Sequence, residues 1–364
     1  YQKLPWAYVI ISLMPQLPLV SIVVPCYNEE ATIRLLLEAL MRQTYPLEKM
    51  EVVLADGMST DRTRQVIAQF QAENPSLALR VVENPPRIIP AGVNRAIAEA
   101  HGEVIVRVDA HAVPYPEYVA QSVADLEAQQ GEIVGGVWEI RPRGRGWMAR
   151  SIAAAASSPL GVGDSFYRFT RQARYVDTVP FGAYRRDFIL ALPRSPGALN
   201  GPYDEGLLTN EDYELNTRVR QTGGKLWLDP AIRSVYFARP TLRKLAQQYW
   251  RYGYWKVRML RRYPKTLRLR QALPPALVLA LLGSALLALL VPWGGWLLLG
   301  LAAVYALFLL AAGAQAAVKA RQWHLLLGTP LAIGVMQLTW GSAFLFSLLE
   351  GLFKRLRPGA KAVY

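Results

Sequence analysis

From Leu273 to Ala314 the chain reads "LPPALVLALLGSALLALLVPWGGWLLLGLAAVYALFLLAAGA", without a single charged side chain. That is about twice the ~20 residues needed to cross a bilayer. The Pro-Trp-Gly-Gly break at 292–295 divides the stretch into two helices, since Pro and Gly both interrupt a helix interior. A third apolar segment covers roughly Leu325–Leu349. Length and missing charge weigh against a buried hairpin of a water-soluble protein, so a membrane region of about three helices is expected over 271–353.

The charge distribution agrees. The chain has 41 Lys and Arg against 27 Asp and Glu, a formal +14, and its basic residues crowd at 239–270 and 354–361, flanking the apolar segments. A basic surplus alone suits nucleic acid, anionic lipid or a phosphorylated ligand; placed beside spans, it indicates a membrane protein. Arg261, Arg262, Lys265, Arg268 and Arg270 hold the preceding domain on the cytoplasmic side. The 292–296 turn then lies outside, and Lys319, Arg321 and His324 inside. Three full crossings would leave Lys354, Arg355, Arg357 and Lys361 outside, so either the rule is broken there or the last segment is re-entrant. Cys26 is the only cysteine, which rules out an internal disulfide and fits a reducing compartment. The run Trp6–Met14, broken by Pro15 and Pro18, is too short to span, and no cleavable signal peptide is evident.

Residues 19–240 read as an α/β domain after an N-terminal segment, 1–18. Apolar runs at Leu19–Pro25, Val52–Ala55 and Val104–Asp109 alternate with helical patterns at Ala31–Arg42, Arg62–Glu73 and Ala91–His101. That alternation predicts βαβ units and a mostly parallel sheet, with ligands beyond the carboxyl ends of the strands. Tyr27, Glu29, Asp56, Asp109 and His111 fall there. Residues two apart on a strand face one side, so Asp109 and His111 converge if strand geometry persists past 109. An oxygen and an imidazole at that spacing suit Mn²⁺ or Mg²⁺; the alternative is a turn-capping Asp and a packed His.

Four segments in order, "SIVVPCYNEE" (21–30), "LADGMSTDRT" (54–63), "AGVNRAIAEAHGEVIVRVDAHA" (91–112) and "NEDYELNTRVRQTGGKLWLDP" (210–230), resemble the nucleotide-sugar transferases of glycosyltransferase family 2, which have the GT-A fold. The similarity covers roughly 19–262. The Asp-Ala-His-Ala form, "VPFGAYRR" (179–186), "RYGYWKVR" (251–258) and "LTWGSAFL" (338–345) look like the membrane-attached glucosyltransferases of succinoglycan-type exopolysaccharide synthesis.

By that resemblance Asp109 and His111 occupy the Asp-X-Asp motif that holds a divalent cation on the sugar-nucleotide diphosphate. His in the second place departs from the wider family: neutral imidazole brings no charge and is lost on protonation. Pro25, Tyr27 and Glu29 match the first nucleotide-binding loop. Glu29 and Glu30 as complements of a helix dipole are the alternative. Asp56 matches the aspartate that accepts from the uracil N–H, with a turn-forming Asp-Gly as its alternative. Ser59 and Asp61 read as caps of the next helix. Arg87 and Asn94 lie where the family places further nucleotide contacts, with surface roles as the alternative.

The resemblance makes Asp212 the catalytic base, with Glu211 beside it; a carboxylate suits removal of a hydroxyl proton. Thr209 and Asp212 also have capping-box spacing, which would make Asp212 structural. In "RKLAQQYWRYGYWKVRMLRR" (243–262), Leu242, Leu245, Tyr249 and Tyr252 recur at helical spacing, predicting an amphipathic helix on the membrane surface within a basic region, 241–270. Gln248, Trp250 and Arg251 resemble the Gln-X-X-Arg-Trp signature of polysaccharide synthases, with Arg251 toward the diphosphate, Trp250 toward an acceptor sugar, and interfacial anchoring as the alternative.

The expectation is an inverting, metal-dependent transferase at the cytoplasmic face of the inner membrane. It moves a sugar, glucose by the resemblance, from a UDP-sugar to a polyprenyl-diphosphate-linked saccharide, with the lipid bilayer and other glycan-assembly proteins as partners and no nucleic acid. Its rivals are transfer to a polyprenyl phosphate and a catalytically silent scaffold of a glycan-export complex. A basic tail, 354–364, ends the sequence.

Overall fold

The computed structural model describes residues 17–197 and 200–356. The run Trp6–Met14 and the basic residues Arg357 and Lys361 lie outside the described residues.

The domain opens with β1 (Val20–Cys26), α1 (Ile33–Met41), β2 (Met50–Asp56), α2 (Thr63–Glu73), β3 (Ala78–Glu83), α3 (Ile89–Ala98) and β4 (Val104–Arg107). All seven residues of β1 and of β2 are buried, as strands covered on both faces require. Alternation divides them. Val20, Ile22 and Val24 face α1 and α2, packing with Leu36, Leu40, Ile67 and Phe70. Val23 and Val53 face α3, packing with Val93 and Ile97. β5 (Val113–Pro114), α4 (Tyr118–Glu127), β6 (Ile133–Pro142), α5 (Trp147–Ala156), β7 (Arg174–Tyr175), β8 (Ala183–Arg185), α6 (Arg186–Ala191), α7 (Glu211–Gln221) and β9 (Leu226–Ala238) follow.

The strands form one sheet in the order β3-β2-β1-β4-β8-β6-β9-β5, with β7 on β9. β3, β2, β1 and β4 are parallel, as expected. β8 then enters antiparallel to both β4 and β6. The sheet is therefore mixed rather than mostly parallel: the long connection from β6, which carries α5 and β7, brings β8 back between β4 and β6 in the antiparallel sense. The strand order reverses between β1 and β4, and the crevice beyond their carboxyl ends is where such sheets take ligands.

α8 (Leu242–Arg262) leads to α9 (Leu269–Leu290), α10 (Gly294–Ala320) and α11 (Leu325–Leu356). The last three are long and apolar enough to cross a membrane, and they expose large side chains such as Leu289, Trp296 and Val318. The chain turns between α9 and α10 at 291–293, within the Pro-Trp-Gly-Gly break. α11 is one continuous helix of 32 residues, about 48 Å long, and no turn interrupts it.

The apolar face of α8 differs from its expected use. Leu245 and Tyr249 pack with Ile333 and Met336 of α11 and Ile152 of α5. Gly253 abuts the Trp340 backbone, and Tyr254 donates to Glu350 at 2.7 Å. α8 therefore lies against protein, because α11 offers a matching apolar stripe that excludes lipid from the same face. Arg270, at the start of α9, ties this helical region to the sheet domain through Asp164 at 2.5 Å and Asp177 at 2.7 Å.

Candidate active site

β4 ends at Arg107, and Asp109–Ala112 forms a turn closed by the Ala112 N–H on the Asp109 carbonyl, at 2.9 Å. Asp109 and His111 thus do not converge as alternate strand residues, because the strand ends first. The turn still brings both to the wall of one cavity. The His111 Nδ1 lies 3.1 Å from the Glu29 Oε1. A carboxylate only accepts, so Nδ1 carries a proton, and it is Nε2 that offers a lone pair when the imidazole is neutral. Burial pushes the His111 pKa down, but the Glu29 hydrogen bond and the Asp109 charge outweigh it and hold it above the ordinary value. Glu29 moves the other way: burial raises its carboxyl, and hydrogen bonds from His111 and Thr32 more than reverse that.

Arg107 organises the site. It is fully buried and joins three carboxylates: Asp109 and Glu211, each at 3.2 Å, and Asp212. Asp212 is 105 residues away in sequence. Its helix, α7, begins at Asn210 in a left-handed conformation with φ 73°, without a side-chain cap. Thr209 bonds instead to the carbonyl of Leu208. The capping box is thus absent, since the left-handed entry turns the Thr209 hydroxyl to a neighbouring carbonyl, and Asp212 faces Arg107. Burial raises the Glu211 carboxyl above its ordinary range, although Arg107 opposes the shift.

One cavity of about 990 Å³ contains Arg107, Asp109, His111, Glu211 and Asp212 at one end. Its walls continue along Gln248, Arg251, Arg239 and Arg270 to Ala276, Leu277, Ala280, Val304, Phe308 and Met336 of the helical region. Gln248 is buried, donating to the Tyr236 and Tyr252 hydroxyls at 3.0 and 2.8 Å. Trp250 packs on Phe346 of α11 at 5.8 Å between ring centres and lines a separate groove with Arg251.

Pro25, Tyr27, Glu29, Asp56, Arg87 and Asn94 do not line this cavity. Tyr27, directly after β1, is 45% exposed. Asp56 is fully buried, and its oxygens hold the Ser59 hydroxyl at 2.5 Å and Arg64. Ser59 therefore serves Asp56 and the Asn28 N–H rather than capping α2; Asp61 does accept the Thr63 N–H, at 3.0 Å. Glu30 accepts from the Arg62 backbone N–H at 3.0 Å. Arg87 is exposed in a turn with φ 58°. Asn94 is buried in α3, where its amide binds the Tyr203 backbone at 2.9 Å through both atoms and Glu205 at 3.0 Å, which latches the 203–205 segment.

A divalent cation fits this donor set. Among the described residues no three His, Cys, Asp or Glu side chains stand together as a cation site. Asp109 and the Nε2 of His111 would supply two donors, leaving the rest to diphosphate oxygens and water, as such cations accept. Glu29 behind His111 fixes the imidazole in the manner of an outer-shell carboxylate.

Arg107 escaped the sequence reading although it shares the parity of Asp109; a charge inside an apolar strand was the available signal. Arg168, Arg239 and Arg270 carried no pattern that would place them at the cavity.

Comparison with known proteins gives a consistent result. The family model "Glycosyl transferase family 2" matches residues 21–190. The chain is 32% identical over 331 residues to the succinoglycan biosynthesis protein ExoA of Rhizobium meliloti, covering 90% of this chain and 94% of that one. It is 29% identical over 248 residues, 67% of this chain and 74% of the other, to a dolichyl N-acetyl-alpha-D-glucosaminyl phosphate 3-beta-D-2,3-diacetamido-2,3-dideoxy-beta-D-glucuronosyltransferase of Methanococcus voltae. Its fold matches the mannosyltransferase PcManGT of Pyrobaculum calidifontis, solved with GDP-Man and Mn²⁺, at a TM-score of 0.59 and 22% identity over 95% of this chain and 93% of that one.

Proposed function

The chain belongs to glycosyl transferase family 2, and on that premise we propose that it moves a sugar, glucose by the family likeness, from a UDP-sugar to a saccharide carried on a polyprenyl diphosphate. The reaction takes place at the cytoplasmic face of the inner membrane. One observation carries the reading: a single cavity runs from the carboxylates Asp109, Glu211 and Asp212 to apolar walls built by α9, α10 and α11. Such a cavity suits an acceptor whose reacting end is a sugar and whose other end is a hydrocarbon. An assembled carboxylate cluster also argues for catalysis over a silent scaffold.

Asp212 deprotonates the acceptor hydroxyl, which attacks the donor's anomeric carbon opposite the departing diphosphate and inverts that centre. Arg107 keeps Asp212 in place and shares its charge among three carboxylates, so none is fully neutralised. Arg251 faces the leaving diphosphate. A divalent cation held by Asp109 and His111, when bound, supplies further charge stabilisation of that leaving group. Tyr27 stacks on the base.

The test uses the purified full chain in detergent with Mn²⁺ and a panel of UDP- and GDP-sugars, offered with prenyl-diphosphate-linked saccharides or with prenyl phosphate. Transfer from a UDP-sugar to the linked saccharide is expected. Transfer to prenyl phosphate alone would replace this reading with its rival, in which no proton needs removing.

A further inference from the structure

Arg168 stands in the short helical turn Phe166–Arg168 and is 8% exposed. Its guanidinium carbon lies 5.2 Å from the Trp138 ring centre and 5.3 Å from that of Tyr167, and Tyr236, Tyr249 and Tyr252 complete the surrounding shell. Among the described residues no carboxylate pairs with it. One nitrogen donates to the Ala156 carbonyl at a long 3.4 Å. An ionised group taken out of water without a counter-ion is costly, and the aromatic faces offset only part of that.

The surroundings are rich in donors. Gln248 donates to the hydroxyls of Tyr236 and Tyr252 at 3.0 and 2.8 Å, so each phenol, serving there as acceptor, keeps its own proton to give. The Trp138 and Tyr236 rings stack face to face, 4.3 Å apart, on one side of the cage. Arg168, Tyr236 and Tyr252 all line the cavity of the carboxylate cluster, together with Arg239 and Arg251, and apolar helix walls continue beyond them.

We propose that Arg168, with the hydroxyls of Tyr236 and Tyr252, binds the phosphate of the lipid-linked acceptor, as an anion site separate from the one that holds the donor diphosphate. This rests on the lipid-linked acceptor proposed above. A guanidinium and two phenols supply several convergent donors to phosphate oxygens. The hydrocarbon then runs along α9, α10 and α11, and the saccharide points to Asp212.

The experiment measures binding to the full chain in detergent of farnesyl diphosphate, farnesol, inorganic pyrophosphate, and UDP with Mn²⁺. Farnesyl diphosphate should bind at least about tenfold more tightly than farnesol, and Arg168→Gln should lower its affinity by about 10- to 100-fold, the range for a lost charged hydrogen bond. UDP affinity should stay within roughly twofold of wild type, against the same range. Tyr252→Phe, which keeps the ring, should lose a smaller factor. The wild-type comparison decides even if Arg168→Gln does not fold. Equal binding of farnesol and farnesyl diphosphate would reject the anion site and leave the lipid acceptor standing. Failure of both prenyl compounds to bind would reject the acceptor and this site together. Pyrophosphate binding as tightly as farnesyl diphosphate, or Arg168→Gln weakening UDP equally, would assign the arginine to a free or donor phosphate and overturn the proposal.

Discussion

Replacing Asp212 with Asn separates chemistry from architecture. The side chain keeps its size, and its carbonyl oxygen can still accept from Arg107. A carboxylate–guanidinium pair at about 4 Å is worth about 4 kcal/mol at an effective dielectric of about 20. Two carboxylates about 6 Å apart across the same guanidinium repel by about 3 kcal/mol under the same conditions. Asp212 shares Arg107 with Asp109 and Glu211, so the variant loses one attraction and two repulsions of similar size. Stability should therefore change by no more than about 2 kcal/mol. No cap is lost, because the Asp212 side chain makes none. Turnover should nonetheless fall by about 10²- to 10⁴-fold, the usual contribution of a general base. The assay combines initial rates of transfer from UDP-sugar, the affinity for UDP with Mn²⁺, and the melting temperature in detergent. A well-folded, nucleotide-binding but slow enzyme is expected. Near-normal turnover at a normal melting temperature would refute the base assignment and point to an acceptor that is already ionised.

Three further outcomes follow from the geometry. Mn²⁺ should strengthen UDP-sugar binding to the wild type, and both EDTA and Asp109→Ala should abolish the enhancement; identical metal dependence in the variant would remove Asp109 from the cation site. Lys256 is buried with its Nζ over the Tyr213 ring, and burial, with the charge of Arg270, pushes its pKa down to about 7. It binds fewer protons folded than unfolded between about pH 7 and 10, so stability rises with pH across that window and is lowest below it. Lys256→Met should raise the melting temperature at pH 7, by the equivalent of about 3–5 kcal/mol at most, and flatten the rise; an unchanged slope in melting scans would show that another group causes it. Gly253→Ala sets a methyl against the Trp340 carbonyl and forces α8 from α11, costing about 1–3 kcal/mol; a melting temperature equal to wild type would mean the two helices separate freely.

The sequence by itself determined whatever depends on neighbours along the chain. The absent charge from 273 to 314 already required apolar helices, and α9 and α10 fill that stretch. The unbroken apolar runs of β1 and β2 required strands covered on both faces, and Tyr27, Asp56 and Asp109 do fall at or beyond the carboxyl ends of β1, β2 and β4. Hydropathy and periodicity are local properties, so they carry through unchanged into the folded chain. Partnership is not local, and the tertiary structure alone decided it. Arg107 meets Asp212 only because β4 and the entry to α7 close on each other across 105 residues. Asn94 holds the 203–205 segment through its amide, a contact across more than a hundred residues. The stripe on α8 had the periodicity of a membrane-surface helix and nothing to distinguish lipid from α11 as its cover. Arg168, in a stretch with no motif, became a buried cation without a carboxylate partner among the described residues only when strands, loop and helix enclosed it. Burial and pairing set the charge and chemistry of a side chain, and both are created by contacts between residues that the sequence keeps far apart.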